Sequence, residues 1–382
     1  MCPIAKPNSI GVSKPVAKAE RFYRPELDAL RFGAFFLVFL SHWIPLKENS
    51  PHYLVALRSS CAFGVPIFFG LSSFLITELL LREKASRGYI NLRAFYLRRI
   101  LRIWPLYFAV LFGGFLVTRV THVATITTGA LLANVGLAGN IYTMLHGDLP
   151  LGLGVLWSIG IEEQFYLVWP SIAKLGNRKA LFCAAICFWV VSQATLLYLC
   201  YHHAAVNPTL WMNTLTHVQF FGIGAAVSIL LHGRQMDFRG VSRVGMMACG
   251  LALFYAANYY FNSKMDDATA SVQHTYFGYV IVGIGTAMIL LGTLGARVPS
   301  YASFAVYLGK ISYGLYVYHL ICIHLADWIA VSVLHMQRAR SVITLIFGLG
   351  FTLLVSITSY RYFETPFLKI KKRFEIVKSR PV

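Results

Sequence analysis

The sequence predicts an all-α integral membrane protein, a bundle of about ten transmembrane helices with both termini cytoplasmic, and three observations carry that expectation. Of its 382 residues, 57% are hydrophobic and 13% are charged, against roughly 25% charged in a soluble domain. The apolar residues collect into blocks of ~20, the length a helix rising 1.5 Å per residue needs to cross a hydrocarbon core of ~30 Å. The 34 Lys and Arg outnumber the 15 Asp and Glu, leaving a net charge of +19, and the excess falls between the blocks on alternate sides. Such a composition excludes a soluble cytosolic enzyme and a disordered chain, and a basic surplus in it orients helices rather than binding nucleic acid.

Ten blocks are expected, near 30–46, 61–81, 103–122, 156–173, 180–201, 214–231, 244–261, 275–294, 311–331 and 341–360. They divide the chain into a cytoplasmic segment 1–29, a ten-helix domain 30–360 and a basic cytoplasmic tail 361–382. Residues 1–29 are polar and lack an apolar run, so the first block reads as an uncleaved signal anchor. Alternating sides from there places 28 of the 34 basic residues in segments read as cytoplasmic, Lys6, Lys14, Lys18 and Arg21 among them. Lys47, Arg58, Arg119, Lys264, Arg338 and Arg340 face outward. The stretch 123–147 is apolar enough for an eleventh block, but a further crossing would move most later basic residues outside, against the positive-inside rule. With the Gly-rich stretch 147–154 it reads as re-entrant or interfacial cover. The seven Cys are scattered and suit helix packing; no metal site is expected.

A charged side chain within a span costs ~2.5–3.5 kcal/mol on insertion scales, so each is a functional candidate. Arg31 and His42 lie three turns plus ~20° apart, on one face and ~16 Å apart along the axis, with Asp28 one turn before Arg31. A cation at one end and a titratable ring at the other suit an elongated ligand lying along the helix. Arg98, Arg99 and Arg102 enter the third block, Arg98 and Arg102 on one face with Arg99 turned aside. Guanidinium forks bind phosphate oxygens bidentately and stay charged, although arginines at a helix entrance also serve as topology markers. In LWSIGIEEQFYLVWP, Glu162 lies ~9 Å below the helix start and His42 ~6 Å below the end of its own helix. The matched depths allow the carboxylate to orient the imidazole as a general base. Ser72, Ser158, Tyr166 and His319 are supporting candidates, with helix-packing hydroxyls and a satisfied core histidine as the plainer readings of Ser72 and His319. His202, His203, Trp211, Asp266 and Asp267 sit in outer loops where a sugar could be contacted, though such residues are usually only solvated.

The R-x10-H pair Arg31 and His42, then FFGLSSFLIT, FYLRRILRIWPLYF, LWSIGIEEQFYLVWP, SYGLYVYH and YRYFETPF stand in one order along the chain. In these motifs, from about Arg24 to Phe367, the chain resembles the acyltransferase 3 family of integral-membrane acyltransferases. The resemblance implies transfer of an acyl group, often acetyl, from cytoplasmic acyl-CoA, with acetyl-CoA the first donor to consider. The acceptor is a hydroxyl on an extracytoplasmic carbohydrate or small molecule, and the setting is a plasma membrane, here a bacterial inner membrane, with membrane lipid as neighbour. It also implies a catalytic His42 with Arg31 as partner, coenzyme binding by Arg98, Arg99 and Arg102, and Ser158 with Glu162 as a further pair. Many relatives read S-G-F where this chain has Ser72, Ser73 and Phe74, so a narrower helix contact or tunnel is expected here. Some relatives carry an added C-terminal esterase-like domain, and none is expected in the 22 residues after the last block.

Joined to the residue reading, this puts the phosphates of coenzyme A on Arg31, Arg98, Arg99 and Arg102. The thioester arm then reaches His42 as general base, with Glu162 orienting it; an acyl-histidine intermediate is the alternative. A proton-coupled transporter using Arg31, His42, Glu162 and His319 as a relay is the rival class.

Overall fold

In the computed structural model, residues 22–234, 238–264 and 269–377 are described; Lys6, Lys14, Lys18, Arg21, Asp266 and Asp267 lie outside them. The described chain is helical throughout: α1 (Pro25–Trp43), α2 (His52–Cys61), α3 (Gly64–Arg87), α4 (Leu92–Thr121), α5 (Thr128–Val135), α6 (Gly139–His146), α7 (Leu156–Leu175) and α8 (Arg178–Tyr201), then α9 (Thr214–Leu231), α10 (Gly240–Tyr259), α11 (Phe277–Thr293), α12 (Ser303–Lys310), α13 (Ser312–Trp328), α14 (Arg340–Ser359) and α15 (Thr365–Lys371). Local signals start and stop them as expected. Asn91 and Asn177 accept from the backbone N–H three residues on, at 3.0 and 2.9 Å, and cap α4 and α8. Gly88, at φ +79°, closes α3 in the left-handed region that glycine adopts without strain.

Each of the ten expected blocks coincides with a helix, and among the described residues eight helical stretches are long and apolar enough to cross a membrane. The two expected blocks outside that set are α1 and α7. The first carries Glu26, Asp28 and Arg31, and the second Glu162, Glu163 and Gln164, and these polar groups keep both helices out of that set. Between α4 and α7, the stretch considered for an eleventh crossing forms α5 and α6, eight residues each. At ~12 Å apiece they are too short to cross ~30 Å of hydrocarbon.

Successive helices pack as pairs, α8 with α9, α10 with α11 and α13 with α14, while α3 lies at the centre against α1, α7, α9 and α11. Small residues set the closest approach. A Cβ on Gly224 of α9 would collide with the Gly70 carbonyl and Ser73 Oγ of α3, and Ser73 Oγ donates to the Gly70 carbonyl at 3.0 Å. Ser73, the serine standing where relatives have glycine, is therefore accommodated by Gly224 in a helix contact. The expected tightening falls there, whereas the tunnel-facing residue is its neighbour Ser72. The segment from 361 onward, expected as a tail, continues as helix through Lys371 and packs on α4, where Arg98 Nη1 donates to the Phe374 carbonyl at 2.8 Å.

Gly224→Val is expected to overpack the α3–α9 contact by about 1–3 kcal/mol and to lower the thermal midpoint of the detergent-solubilised protein. Gly245→Ala in α10, where a Cβ meets open space, should leave the midpoint unchanged, and equal behaviour of the two variants would contradict this packing.

Candidate active site

An elongated cavity lies among α1, α3, α4, α7 and α13. Its longest wall is one face of α3, where Val65, Phe68, Ser72, Leu75, Leu79 and Glu83 follow at intervals of three or four residues. From Val65 to Glu83 the helix rises ~27 Å, close to the ~30 Å of a hydrocarbon core. Arg31, Ser72, Arg98, Arg99, Arg102, Ser158, Glu162 and Tyr166 all line this space. His42 and His319, the other two expected site residues, lie beyond its far end.

The four arginines are not equivalent. Arg31 Nη1 pairs with Asp28 at 3.1 Å, the one-turn spacing seen in the sequence. Arg98 Nη2 pairs with Glu83 at 3.3 Å, whose other oxygen accepts from the Asn91 N–H at 2.7 Å. Arg99 instead lies against the rings of Phe95 and Tyr166, 5.6 and 5.4 Å from their centroids, and its buried Nε has no hydrogen-bond partner among the described residues. Arg102 likewise makes no hydrogen bond or ion pair to a described residue. A buried donor left unsatisfied costs about 1–3 kcal/mol, more when charged. An anion bearing several oxygens would relieve that cost at Arg99 and could pair with half-buried Arg102 at the same time.

Glu162 faces the same cavity and accepts a short hydrogen bond from the Tyr166 hydroxyl. At the far end, Ser158 Oγ and the Tyr316 hydroxyl are 2.7 Å apart, and the Phe68 ring meets Tyr316 edge-on at 5.7 Å. One turn beyond Tyr316, His319 Nδ1 is 2.6 Å from the Tyr316 carbonyl and its Nε2 is 3.3 Å from His42 Nδ1. His319 is fully buried, whereas His42, near the C-terminal end of α1, is exposed.

The imidazole partner of His42 is thus His319, where matched depths led to the expectation of Glu162. Rise per residue fixes height along a helix and leaves open which neighbour a residue faces; here α7 turns Glu162 toward the arginines. Tyr313, Tyr316, Glu83 and Lys371 also line the cavity and were not anticipated. For the tyrosines a signal existed, since Tyr313, Tyr316 and His319 recur every three residues on one face of α13. Lys371 gave none, because only the return of the chain onto α4 brings it to the arginines.

A family model described as an acyltransferase domain matches residues 24–361. A Staphylococcus aureus protein provisionally named an O-acetyltransferase is 25% identical over 370 aligned positions, covering 91% of this chain and 58% of its own length. A Bacillus subtilis protein provisionally named a peptidoglycan O-acetyltransferase is 27% identical over 221 positions, 54% of this chain and 33% of its own. The peptidoglycan O-acetyltransferase of Listeria monocytogenes is 30% identical over 171 positions, 41% and 25% respectively. The chain spans little more than half the length of the first of these relatives and less of the others. No solved structure matches it.

The contrast among the arginines predicts opposite effects on the ligand-free protein. Arg98→Met leaves buried Glu83 without its ion partner and should destabilise the fold by ~3 kcal/mol. Arg99→Met removes an unsatisfied charge and should leave the thermal midpoint unchanged or raise it; a drop in Arg99→Met matching that of Arg98→Met would show that both arginines are structural.

Proposed function

The chain belongs to the acyltransferase 3 family, and we propose that it is a multi-pass membrane O-acyltransferase acting across the bilayer from a cytoplasmic acyl-CoA to an extracytoplasmic hydroxyl. All ten long helices cross the plasma membrane in this reading, α1 and α7 included, with both termini cytoplasmic. The observation that carries it is a cavity about as long as the bilayer is thick, with two arginines that make no hydrogen bond or ion pair to a described residue at one end and, one helical turn past Tyr316 at the other, His319 in contact with the exposed His42.

Arg99 and Arg102 supply the main phosphate contacts. Arg31 and Arg98, already paired with acids, hold the shape of the mouth and add field. Glu162 lies further along the wall and repels the anionic end of the donor, so only the uncharged pantetheine arm passes toward Ser158 and Tyr316. Glu162 is then part of the donor cavity, and His42 has its partner elsewhere.

At the outer end His42 acts as general base. The acceptor oxygen attacks the thioester carbonyl and loses its proton to His42; the C–O bond forms, the C–S bond breaks, and the imidazolium returns the proton to the coenzyme A sulfur. The names of the relatives point to a carbohydrate acceptor, and a peptidoglycan sugar is the first to test. Acetyl is the acyl group we assign.

Purified protein in proteoliposomes should release free coenzyme A from acetyl-CoA, faster when acceptor glycan is present. His42→Ala should abolish turnover without weakening coenzyme binding, and retained turnover would overturn the assignment. Arg99→Gln and Arg102→Gln should each weaken coenzyme binding by tenfold or more, equivalent to ~1.4 kcal/mol; unchanged affinity would return them to topology markers.

A further inference from the structure

We propose that His319 is a positioning residue that fixes the tautomer of His42; the inference rests on the general-base role proposed above and names the group that makes that role possible. The argument starts from the Tyr316 carbonyl. A carbonyl only accepts, so His319 Nδ1, 2.6 Å away, carries the proton that bridges them. In a neutral imidazole the other nitrogen then bears a lone pair, and His319 Nε2 points it at His42 Nδ1, 3.3 Å away. His42 Nδ1 must therefore be the donor. The Val38 carbonyl, 2.9 Å from the same nitrogen, makes the same demand from within α1.

Two acceptors converge on one N–H, and the consequence is at the opposite edge of the ring. With Nδ1 protonated, His42 Nε2 is the free lone pair, the form a general base requires. When that nitrogen takes the acceptor's proton, both acceptors still face Nδ1–H and stabilise the imidazolium. In serine hydrolases a buried carboxylate does this work; here a neutral imidazole does it. A charged group beside α1 at this level is cationic, Arg58 of α2, whose Nε donates to the Ser41 carbonyl at 2.9 Å.

The surroundings keep His319 in register. It is fully buried, so water does not compete for its lone pair, and its ring is held by Phe35 and Tyr316, with centroids at 6.0 and 5.5 Å. Tyr316 thus touches both compartments: its hydroxyl closes the donor cavity with Ser158, and its carbonyl sets the proton on His319. The catalytic ring is aligned by the element that ends the donor tunnel.

The test compares His319→Leu, which fills the space without a lone pair, with His319→Gln, whose Oε1 restores an acceptor near the position of Nε2. His319→Leu should lower kcat on the order of 10²-fold, the range of general-base catalysis, with coenzyme affinity within twofold of the parent. His319→Gln should recover most of that loss. In protein labelled with 15N-histidine, NMR should report His42 as the Nδ1–H tautomer in the parent and in His319→Gln, with Nε2–H appearing in His319→Leu. Equal inactivity of the two folded variants, full activity of His319→Leu, or an unchanged tautomer ratio would each overturn the proposal. The two claims fail separately, because activity surviving in His42→Ala would remove the general-base reading while the NMR tautomer still reports on His319.

Discussion

Positive charge only partly paired with acids inside an apolar bundle is the constraint around which this fold is organised. A guanidinium withdrawn from water must find oxygens, and here Arg31 and Arg98 find Asp28 and Glu83, while Arg99 finds only the faces of two rings. The Arg98–Glu83 pair ties α4 to α3, whereas Arg31–Asp28 closes within α1. In the proposed reading the remaining charge serves an anionic ligand. Such a site is costly when empty and favourable when an anion arrives, so binding energy at one end becomes available to hold a ligand along the whole cavity.

The central helix α3 makes that cavity possible by having two different long faces. Toward α9 it offers Gly70 and Ser73, small enough for the backbones to approach closely. Toward the cavity it offers Phe68, Ser72, Leu75 and Leu79, spaced so that space is left against α1, α7 and α13. Dispersion between small residues, rather than hydrophobic exclusion, holds helices together in lipid, so the tight face anchors α3 and permits the open one. Directly after the α13 wall comes His319, and the packing that positions the tunnel also positions the imidazole pair.

In the proposed reading a phosphate-binding end and a proton-accepting end lie at opposite ends of one space about as long as a bilayer is thick. This separation lets each end have the environment its chemistry needs: cationic for an anionic donor, and apolar yet reachable for a base that must stay neutral until it acts. In that reading the exposure of His42 beside the full burial of His319 divides the work in the same manner, with one ring meeting the acceptor and the other holding it in register.

Sequence alone determined the ten helical blocks, the place of Asp28 one turn before Arg31 on one face of α1, and the four arginines that line the cavity. These follow from hydrophobic run length and from the angular period of a helix, both local properties that need no knowledge of neighbours. Only the tertiary structure decided which arginines are already neutralised, that Lys371 returns to line the mouth, and that His42 meets His319 instead of Glu162. Each of those outcomes depends on the azimuth of one helix against another. Height in a membrane can be counted in residues, but azimuth is set by where small residues such as Gly224 let backbones touch, and that is a property of the packed bundle.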